Sequence, residues 1–196
     1  MAAQKRAQLL ETAERLFYDN GFHATGIDRI VQAAGVVRMT LYNHFSSKEA
    51  LIAAVLDDRH ERFLDRIDQA VAAAPAGGRA RALVEAYCVW LDEASRRGCI
   101  MVRAIGEFAE SSPRLHAQAV RAKTDLLERV SGALTRDGLR DGSLARRVFL
   151  LLEGANAAVP VLGGDAALTG TRRAVEALLQ QEAAATAGPG AAAPPV

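Results

Sequence analysis

The segment RMTLYNHF, residues 38–45, carries side chains whose chemistry suits recognition of double-stranded DNA. A guanidinium can donate two hydrogen bonds to a guanine edge, and a carboxamide can match adenine, so Arg38 and Asn43 are candidate base-reading residues. The neighbouring hydroxyl, phenol and imidazole groups can donate to phosphate oxygens. These groups belong to Thr40, Tyr42 and His44. The segment is therefore predicted to be a helix that binds DNA.

One further residue of this segment and two residues outside it fit the same interpretation. Lys48 lies in the first turn of the next predicted helix, where the helix dipole disfavours a cation by roughly 0.3 to 1 kcal/mol, and a nearby phosphate would reverse that preference. Met39 has a flexible side chain that can contact a thymine methyl group. Thr25 stands at the start of the preceding helix, where backbone N–H groups can bind a phosphate oxygen. A solvated lysine and a purely architectural pair of helices remain the alternatives.

Two helices are predicted before the segment. Apolar residues at spacings of three and four predict a first helix over about residues 3–20. Gly21 can end that helix in the left-handed conformation. The hydroxyl of Thr25 is expected to cap a second helix over about residues 26–34.

The segment itself is predicted to form the third helix, over about residues 37–45. Gly35 allows the sharp turn that must precede it, because glycine tolerates a positive φ. Leu41 and Phe45 lie one turn apart and should face inward, which leaves the polar residues outside. The pattern is that of a helix-turn-helix.

The rest of the chain is predicted to be helical as well. Ser46 and Glu49, three residues apart, predict a capping box at the start of a long fourth helix that ends near residue 74, before Pro75. Apolar periodicity and breaks at glycine, serine and proline predict five more helices. Their approximate ranges are 83–97, 100–110, 113–136, 143–162 and 166–182.

Composition agrees with an all-α fold of about nine helices. Half of the 196 residues are hydrophobic and only 5% are aromatic, which favours closely packed helices over a sheet. We predict a helix-turn-helix DNA-binding domain over residues 1–48 and a helical ligand-binding and dimerisation domain over residues 49–183. The low-complexity residues 184–196 are predicted to be a disordered tail.

Charge and cysteine content narrow the class of protein. The net charge is only +1, but residues 1–48 carry six basic and four acidic side chains. No apolar run is long enough for a membrane span and the N-terminus has no signal-peptide pattern, so we expect a cytoplasmic protein without a membrane partner. Cys88 and Cys99 lack CxxC spacing and are expected to be free buried thiols.

Catalysis is not expected. The four histidines show no HExxH or paired-ligand spacing, and GxSxG, P-loop and strand-linked GxGxxG motifs are missing from the sequence. The histidines are His23, His44, His60 and His116. We therefore predict no metal site and no cofactor. A helical adaptor for protein interactions is the alternative, although it leaves the phosphate-donor set unexplained.

The run TGIDRIVQAAGVVRMTLYNHFSSKEAL, residues 25–51, resembles the DNA-binding segment of the tetracycline repressor (TetR) family. That family has a threonine-led second helix, an A-G-V turn and the pattern T-L-Y-x-H-F-x-x-K-E-x-L, and the resemblance is close over about residues 9–56. It implies that two groups of residues contact DNA. Those facing phosphates are Thr25, Thr40, Tyr42, His44 and Lys48, and those facing bases are Arg38, Met39 and Asn43.

Two residues depart from the family pattern. Val37 stands where the family usually has serine, threonine or alanine, so the third helix lacks a hydroxyl cap worth about 0.5 to 2 kcal/mol. Met39 stands where glycine, alanine or proline is frequent. Neither change removes a phosphate donor.

A homodimer is expected, because one helix-turn-helix contacts few phosphates and dimers read two half-sites. The resemblance implies that the last two helices pair with their copies. Small residues over 153–158 would permit close approach, and an apolar stripe lies on the last helix at Val175, Leu178 and Leu179. An ordinary intramolecular core is the alternative.

The middle helices are expected to enclose a site for a small-molecule effector of unknown identity. Residues that join apolar surface to polar groups are candidates for its wall. They are Tyr87, Trp90, Met101, Phe108 and Asn156. Arg103 and Glu107, four residues apart, could orient a polar ligand or form a surface pair. The resemblance implies a ligand-responsive regulator, most often a repressor that its effector releases from a palindromic operator; an activator is the other possibility.

Overall fold

The structure, a computed structural model, describes residues 2–94 and 98–187, and these residues form nine α-helices and no strand. The helices are α1 (Ala2–Asn20), α2 (Ile27–Ala33), α3 (Arg38–His44), α4 (Lys48–Ala73), α5 (Arg79–Ala94), α6 (Ile100–Phe108), α7 (Pro113–Arg136), α8 (Leu144–Leu162) and α9 (Gly164–Ala187). The predicted all-α class is confirmed.

Periodicity predicted the helices well and their ends less well. The range predicted for α7 agrees with the structure, whereas α5 begins four residues before its prediction and the predicted residues 95–97 lie outside the described residues. Residues 184–187, assigned to a disordered tail from sequence, are instead the last residues of α9. Alanine is a strong helix former, which explains the extension. Residues 188–196 also lie outside the described residues.

The chain divides into two compact units. The first contains the described residues up to Leu64 together with Cys99–Thr124. The second contains the described residues of Asp65–Gly98 and those from Asp125 onward. The first unit therefore holds α1, α2, α3 and α6 and the N-terminal parts of α4 and α7.

One hydrophobic core joins the helices of the first unit. Leu9, Phe17, Ile30 and Leu41 are fully buried in it, and Phe108 of α6 belongs to the same cluster. The ring of Phe22 lies 5.2 Å from those of both Phe17 and Phe108, a spacing typical of favourable aromatic pairs. Helix α6 is thus part of the core that supports α1 to α3.

A largely buried ion pair links α1 to α4 in the same unit. The Arg59 side chain is only 8% exposed and its Nη1 hydrogen bonds to Glu14, which also accepts from Arg62. The guanidinium of Arg59 lies 5.5 Å from the ring centroid of Tyr18. This ion pair holds the two helices together, because loss of the Glu14 carboxylate would remove a charge partner from a largely buried guanidinium.

The start of α4 differs from the predicted capping box. The helix begins at Lys48, and Ser47 is the capping residue because its Oγ accepts from the N–H of Ala50 at 3.0 Å. Glu49, which the prediction paired with Ser46, accepts from the Ser112 hydroxyl at 2.8 Å instead. The predicted capping box is therefore wrong: a single serine cap begins the helix, one residue later than predicted, and Ala50 at the third helical position has no side chain that could complete a box.

The second unit packs α5 against α8 and α9. Its buried residues include Leu83 and Leu91 of α5, Leu152 of α8, and Val175 and Leu179 of α9. Two of the three stripe residues predicted from the sequence to line a dimer interface, Val175 and Leu179, therefore belong to the core of their own chain. The third, Leu178, is half-buried.

Both cysteines are free, as predicted, but only Cys88 is fully buried; Cys99 is half-buried. Burial raises the pKa of the Cys88 thiol to about 11. No helix among the described residues is long and apolar enough to cross a membrane.

Candidate nucleic-acid interface

Helices α2 and α3 form the predicted helix-turn-helix. Gly35 has a φ of +62°, which confirms that the turn uses the left-handed conformation. The Val36 N–H donates to the carbonyl oxygen of Val31 at 3.0 Å, and the Gln8 side chain of α1 donates to that of Ala34 at 2.9 Å. These bonds satisfy backbone groups at the end of α2 and hold the turn against α1.

The inner side of α3 is anchored as predicted. Leu41 is completely buried, and Phe45, which follows the helix, is 4% exposed. The Arg6 guanidinium of α1 lies 5.3 Å from the centroid of the Phe45 ring. Because both apolar residues point inward, the orientation of the short helix is fixed.

The opposite side of α3 points into solvent. Met39 is 69% exposed and Tyr42 44%, and Arg38 and Asn43 are exposed as well. Thr40 and His44 on this side are half-buried. The ammonium of Lys48 follows at the start of α4. We call the whole set the α3 surface. It comprises Arg38, Met39, Thr40, Tyr42, Asn43, His44 and Lys48.

The α3 helix has no side-chain cap. Val37 occupies the capping position, is 68% exposed and makes no side-chain hydrogen bond there. Only a backbone bond is present, from the Thr40 N–H to the carbonyl oxygen of Val37 at 2.9 Å. The expectation of an uncapped third helix is therefore confirmed.

Arg38 is paired with an acidic residue of α2. Its Nη2 atom lies 3.1 Å from Oδ1 and 3.3 Å from Oδ2 of Asp28, in the first turn of that helix. Sequence reasoning missed Asp28, because the two residues are ten positions apart and no spacing rule joins them across a turn.

Lys48 is held at the edge of the α3 surface. Its Nζ donates to the carbonyl oxygen of His23 at 3.3 Å. Partial burial lowers the pKa of the ammonium, while the nearby carboxylate of Glu107 acts in the opposite direction. Burial removes part of the hydration of this cation. An anion bound beside the ammonium would therefore stabilise its charged form.

The side chain of Thr25 does not take its predicted capping role. Its side chain is completely buried, and its Oγ1 lies 2.7 Å from the carbonyl oxygen of Gly21 and 3.2 Å from that of Leu16. The capping position of α2 is Gly26, which has no side-chain cap bond, so the predicted hydroxyl cap is wrong. The buried hydroxyl is bound to the end of α1 and is not placed to donate to a phosphate.

Arg103 of α6 binds the C-terminal part of α1, and Glu107 of α6 binds the backbone that connects α1 to α2. Arg103 Nη1 donates to the carbonyl oxygens of Phe17 and Tyr18, at 3.2 and 2.7 Å. Glu107 Oε2 accepts the N–H groups of Phe22 and His23, both at 2.9 Å. These contacts replace the predicted pairing of the two charges with each other.

Gly21 makes room for this contact. It has a φ of +89°, and a Cβ atom at this position would lie 2.9 Å from Glu107 Oε1. The ring of His23 adds a further bond, between its Nε2 and the carbonyl oxygen of Glu107 at 2.9 Å. The connection that leads into α2 is therefore fixed by α6.

The candidate effector residues fall in different units. In the second unit the Tyr87 hydroxyl donates to the carbonyl oxygen of Leu152 at 2.9 Å and accepts from the Asn156 amide, and Trp90 lies 5.8 Å from the Arg66 guanidinium. In the first unit Met101 and Phe108 are buried in the core and Arg103 binds α1. A ligand role for these six residues stays a prediction.

An open groove of about 450 Å³ is also present in the second unit, between α5 and α9. Two bidentate ion pairs cross it: Arg81 with Glu176, at 2.7 and 2.9 Å, and Arg172 with Glu85, at 2.6 and 2.9 Å. None of the six predicted effector residues lines this groove.

The fold and this interface define an all-α helix-turn-helix protein. A family model described as bacterial regulatory proteins of the tetR family matches residues 9–55, and one described as a tetracyclin repressor-like C-terminal domain matches residues 76–175. Because the second match alone covers more than half of the sequence, the chain belongs to the TetR family of bacterial regulatory proteins.

Individual relatives agree with this assignment. The HTH-type transcriptional activator FasR of Mycolicibacterium smegmatis is 32% identical over 146 residues, which are 74% of this chain and 65% of FasR. The HTH-type transcriptional regulator TtgR of Pseudomonas putida is 45% identical over 60 residues, which are 31% of this chain and 29% of TtgR. The matches thus span less than two thirds of either curated relative.

A solved structure is similar over most of its length. It is the crystal structure of SCO4454, a TetR-family transcriptional regulator from Streptomyces coelicolor. It is 31% identical in sequence and superposes with a TM-score of 0.83 over 91% of this chain and 96% of its own.

Proposed function

We propose that this chain is a ligand-responsive transcriptional regulator that binds double-stranded DNA through the α3 surface. The observation that carries the proposal is the division of α3 into two sides. Leu41 is buried, whereas Arg38, Met39 and Asn43 project into solvent with chemistry that suits the major groove. A helix that served only to close the fold would need polar residues there, but not this set of donors.

Individual roles follow from chemistry and exposure. Arg38 donates to guanine, Asn43 matches adenine and Met39 contacts a thymine methyl group. Thr40, Tyr42, His44 and Lys48 contact phosphates and set the register of α3 on the duplex. Thr25 is left out as a side-chain donor because its hydroxyl is buried.

A homodimer would place two such helices on a palindromic site, with half-sites about 34 to 36 Å apart. We propose that α8 and α9 form its interface. The solvent side of α8 carries apolar and small residues at spacings of four, three and four, the pattern of one helical stripe. They are Leu150, Gly154, Ala157 and Val161.

Exposure supports this choice of interface. Leu150 is 67% and Val161 80% exposed, and a Cβ atom at Gly154 or Gly170 would meet nothing within 4 Å. Replacing Gly154 by arginine should therefore leave the fold intact but favour the monomer in sedimentation velocity. The matched control is Val120→Arg on α7, a half-exposed valine of the first unit. A Gly154→Arg protein that stays dimeric would contradict this interface.

The effector is proposed to change operator occupancy. A ligand can shift the balance between two states only if it binds them with different affinities. Repression relieved by the effector is the expected mode, and binding to DNA requires access to the chromosome in the cytoplasm. Activation is the second candidate, because the relative FasR, which aligns with 74% of this chain, is named an activator.

Selection from a pool of duplexes with randomised centres tests the proposal. The purified chain should enrich a palindrome, and its affinity should fall linearly in log salt. Lys48→Ala should weaken all duplexes alike and reduce the salt slope by about 1 per protomer, or about 2 for the dimer, while Arg38→Ala should relax preference at one base position in each half-site. A helical adaptor would retain no duplex, and that result would overturn the proposal.

A further inference from the structure

Asp28 is an unexpected residue beside the α3 surface. Its side chain is 80% exposed, and its carboxylate lies against Nη2 of Arg38, whose side chain is 58% exposed. An ion pair this exposed adds little to folding stability, because water screens both charges. An acidic group beside a surface that meets phosphates also weakens DNA binding by repulsion. Neither folding stability nor general affinity for DNA explains why this carboxylate is paired with Arg38.

The geometry of the pair leaves Arg38 able to read a base. A guanidinium has two edges that can each donate two hydrogen bonds, and Nη2 contributes one hydrogen to each of them. Both oxygens of Asp28 approach this one nitrogen, at 3.1 and 3.3 Å. Among the described residues, Nε and Nη1 of Arg38 have no hydrogen-bond partner. One two-donor edge is therefore open for the O6 and N7 atoms of guanine.

Holding the guanidinium also reduces its freedom. A free arginine side chain has a large rotamer entropy, and it must lose much of it to donate two bonds to one base. Asp28 is itself in the first turn of α2, where the helix dipole favours a negative charge. Its carboxylate is thus a stable support for the arginine.

We infer that Asp28 determines sequence specificity by holding the Arg38 guanidinium through Nη2, with the opposite edge directed to guanine. This inference rests on the proposed function. The carboxylate of Asp28 lowers the affinity for every duplex equally, because it repels the phosphate backbone. Its hold on the Arg38 guanidinium raises the affinity only for a duplex that has guanine at the contacted position. Asp28 therefore increases sequence discrimination and decreases general affinity.

A double-mutant cycle on DNA binding tests the inference. The proteins are the full chain, Asp28→Asn, Arg38→Ala, the double variant, and Glu11→Gln as a control that removes an exposed carboxylate from α1. The probes are the duplex enriched by the wild-type chain and the same duplex with the guanine positions replaced. Thermal unfolding of each variant checks that the fold is unchanged.

Arg38→Ala should reduce the affinity ratio between the two duplexes about thirtyfold or more, because one guanine contact is lost in each half-site. Asp28→Asn should reduce it about three- to tenfold while binding the replaced duplex more tightly than wild type, and Glu11→Gln should leave the ratio unchanged. The double variant should show the same ratio as Arg38→Ala alone, because Asp28 acts only through that arginine.

Two results would overturn this inference but leave the proposed function intact. One is an unchanged ratio for Asp28→Asn when Arg38→Ala lowers it. The other is a pair of losses that add in the double variant, which would mean that Asp28 contacts a base independently. A wild-type chain that prefers no duplex would overturn the proposed function as well.

Discussion

The two sides of the first unit differ in how their polar groups are satisfied. On the inner side, Arg59, Arg103 and Glu107 bind other parts of the same unit. On the outer side, Arg38, Met39 and Asn43 of the α3 surface project into solvent, and the carboxylate of Asp28 is the partner of Arg38. The inner side thus consists of groups whose loss costs folding energy, and the outer side of groups that can be replaced without unfolding the protein.

Among the variants that test this difference, Glu14→Ala should cause the largest change in the free energy of unfolding. It removes a carboxylate from the largely buried Arg59, which should lower the free energy of unfolding by roughly 3 kcal/mol. Urea denaturation measures the change. The matched control is Glu11→Ala on the solvent side of α1, which should stay within about 0.5 kcal/mol of wild type. Equal effects of the two variants would remove the distinction between buried and exposed charge.

Glu107→Ala should lower the free energy of unfolding by an intermediate amount. It leaves the N–H groups of Phe22 and His23 without their acceptor, at a cost of about 1 to 2 kcal/mol, since water can replace only the more exposed bond. The control is Glu110→Ala, an exposed residue just after α6. Hydrogen exchange of the two amides should speed up in Glu107→Ala only. Unchanged protection would show that α6 does not fix the α1–α2 connection.

Val37→Ser should cause the smallest change in the free energy of unfolding, and this change should stabilise the protein. A serine hydroxyl can accept from a free N–H at the start of α3 and should add about 0.5 to 1 kcal/mol to the free energy of unfolding. Val37 is exposed, so its removal costs little packing. Val37→Ala should be nearly neutral. If serine and alanine gave the same stability in urea, capping at this position would have no role.

Sequence reasoning predicted the outer side better than the inner side. The exposed and buried residues of α3 followed from helical periodicity, because Leu41 and Phe45 are one turn apart. The partners of Arg103 and Glu107 could not be predicted, since each lies in another helix or loop. The Thr25 hydroxyl turns back to the carbonyl oxygen of Gly21, four residues earlier, and to that of Leu16 in α1. Local rules suggested a cap for Thr25 and an i, i+4 pair for the two α6 charges, but the tertiary contacts are different.

The predicted effector site shows the same limit of prediction from residue type and local spacing. Tyr87 and Asn156 were both chosen for their polar groups, and the structure joins them by a hydrogen bond in the second unit. Met101 and Phe108 were chosen for the large apolar surface of the same predicted wall, but they pack in the core of the first unit. Residue type alone does not separate a ligand wall from a core, because both are built from large apolar side chains.

Photo-crosslinking from position 39 tests the central claim, that the α3 surface enters the major groove, most directly. A benzophenone amino acid at position 39 should crosslink to bases of the enriched duplex, because Met39 lies in the middle of the exposed side of α3. The same group at position 120 on α7 should give no crosslink. Crosslinks from position 120 with none from position 39 would contradict the claim.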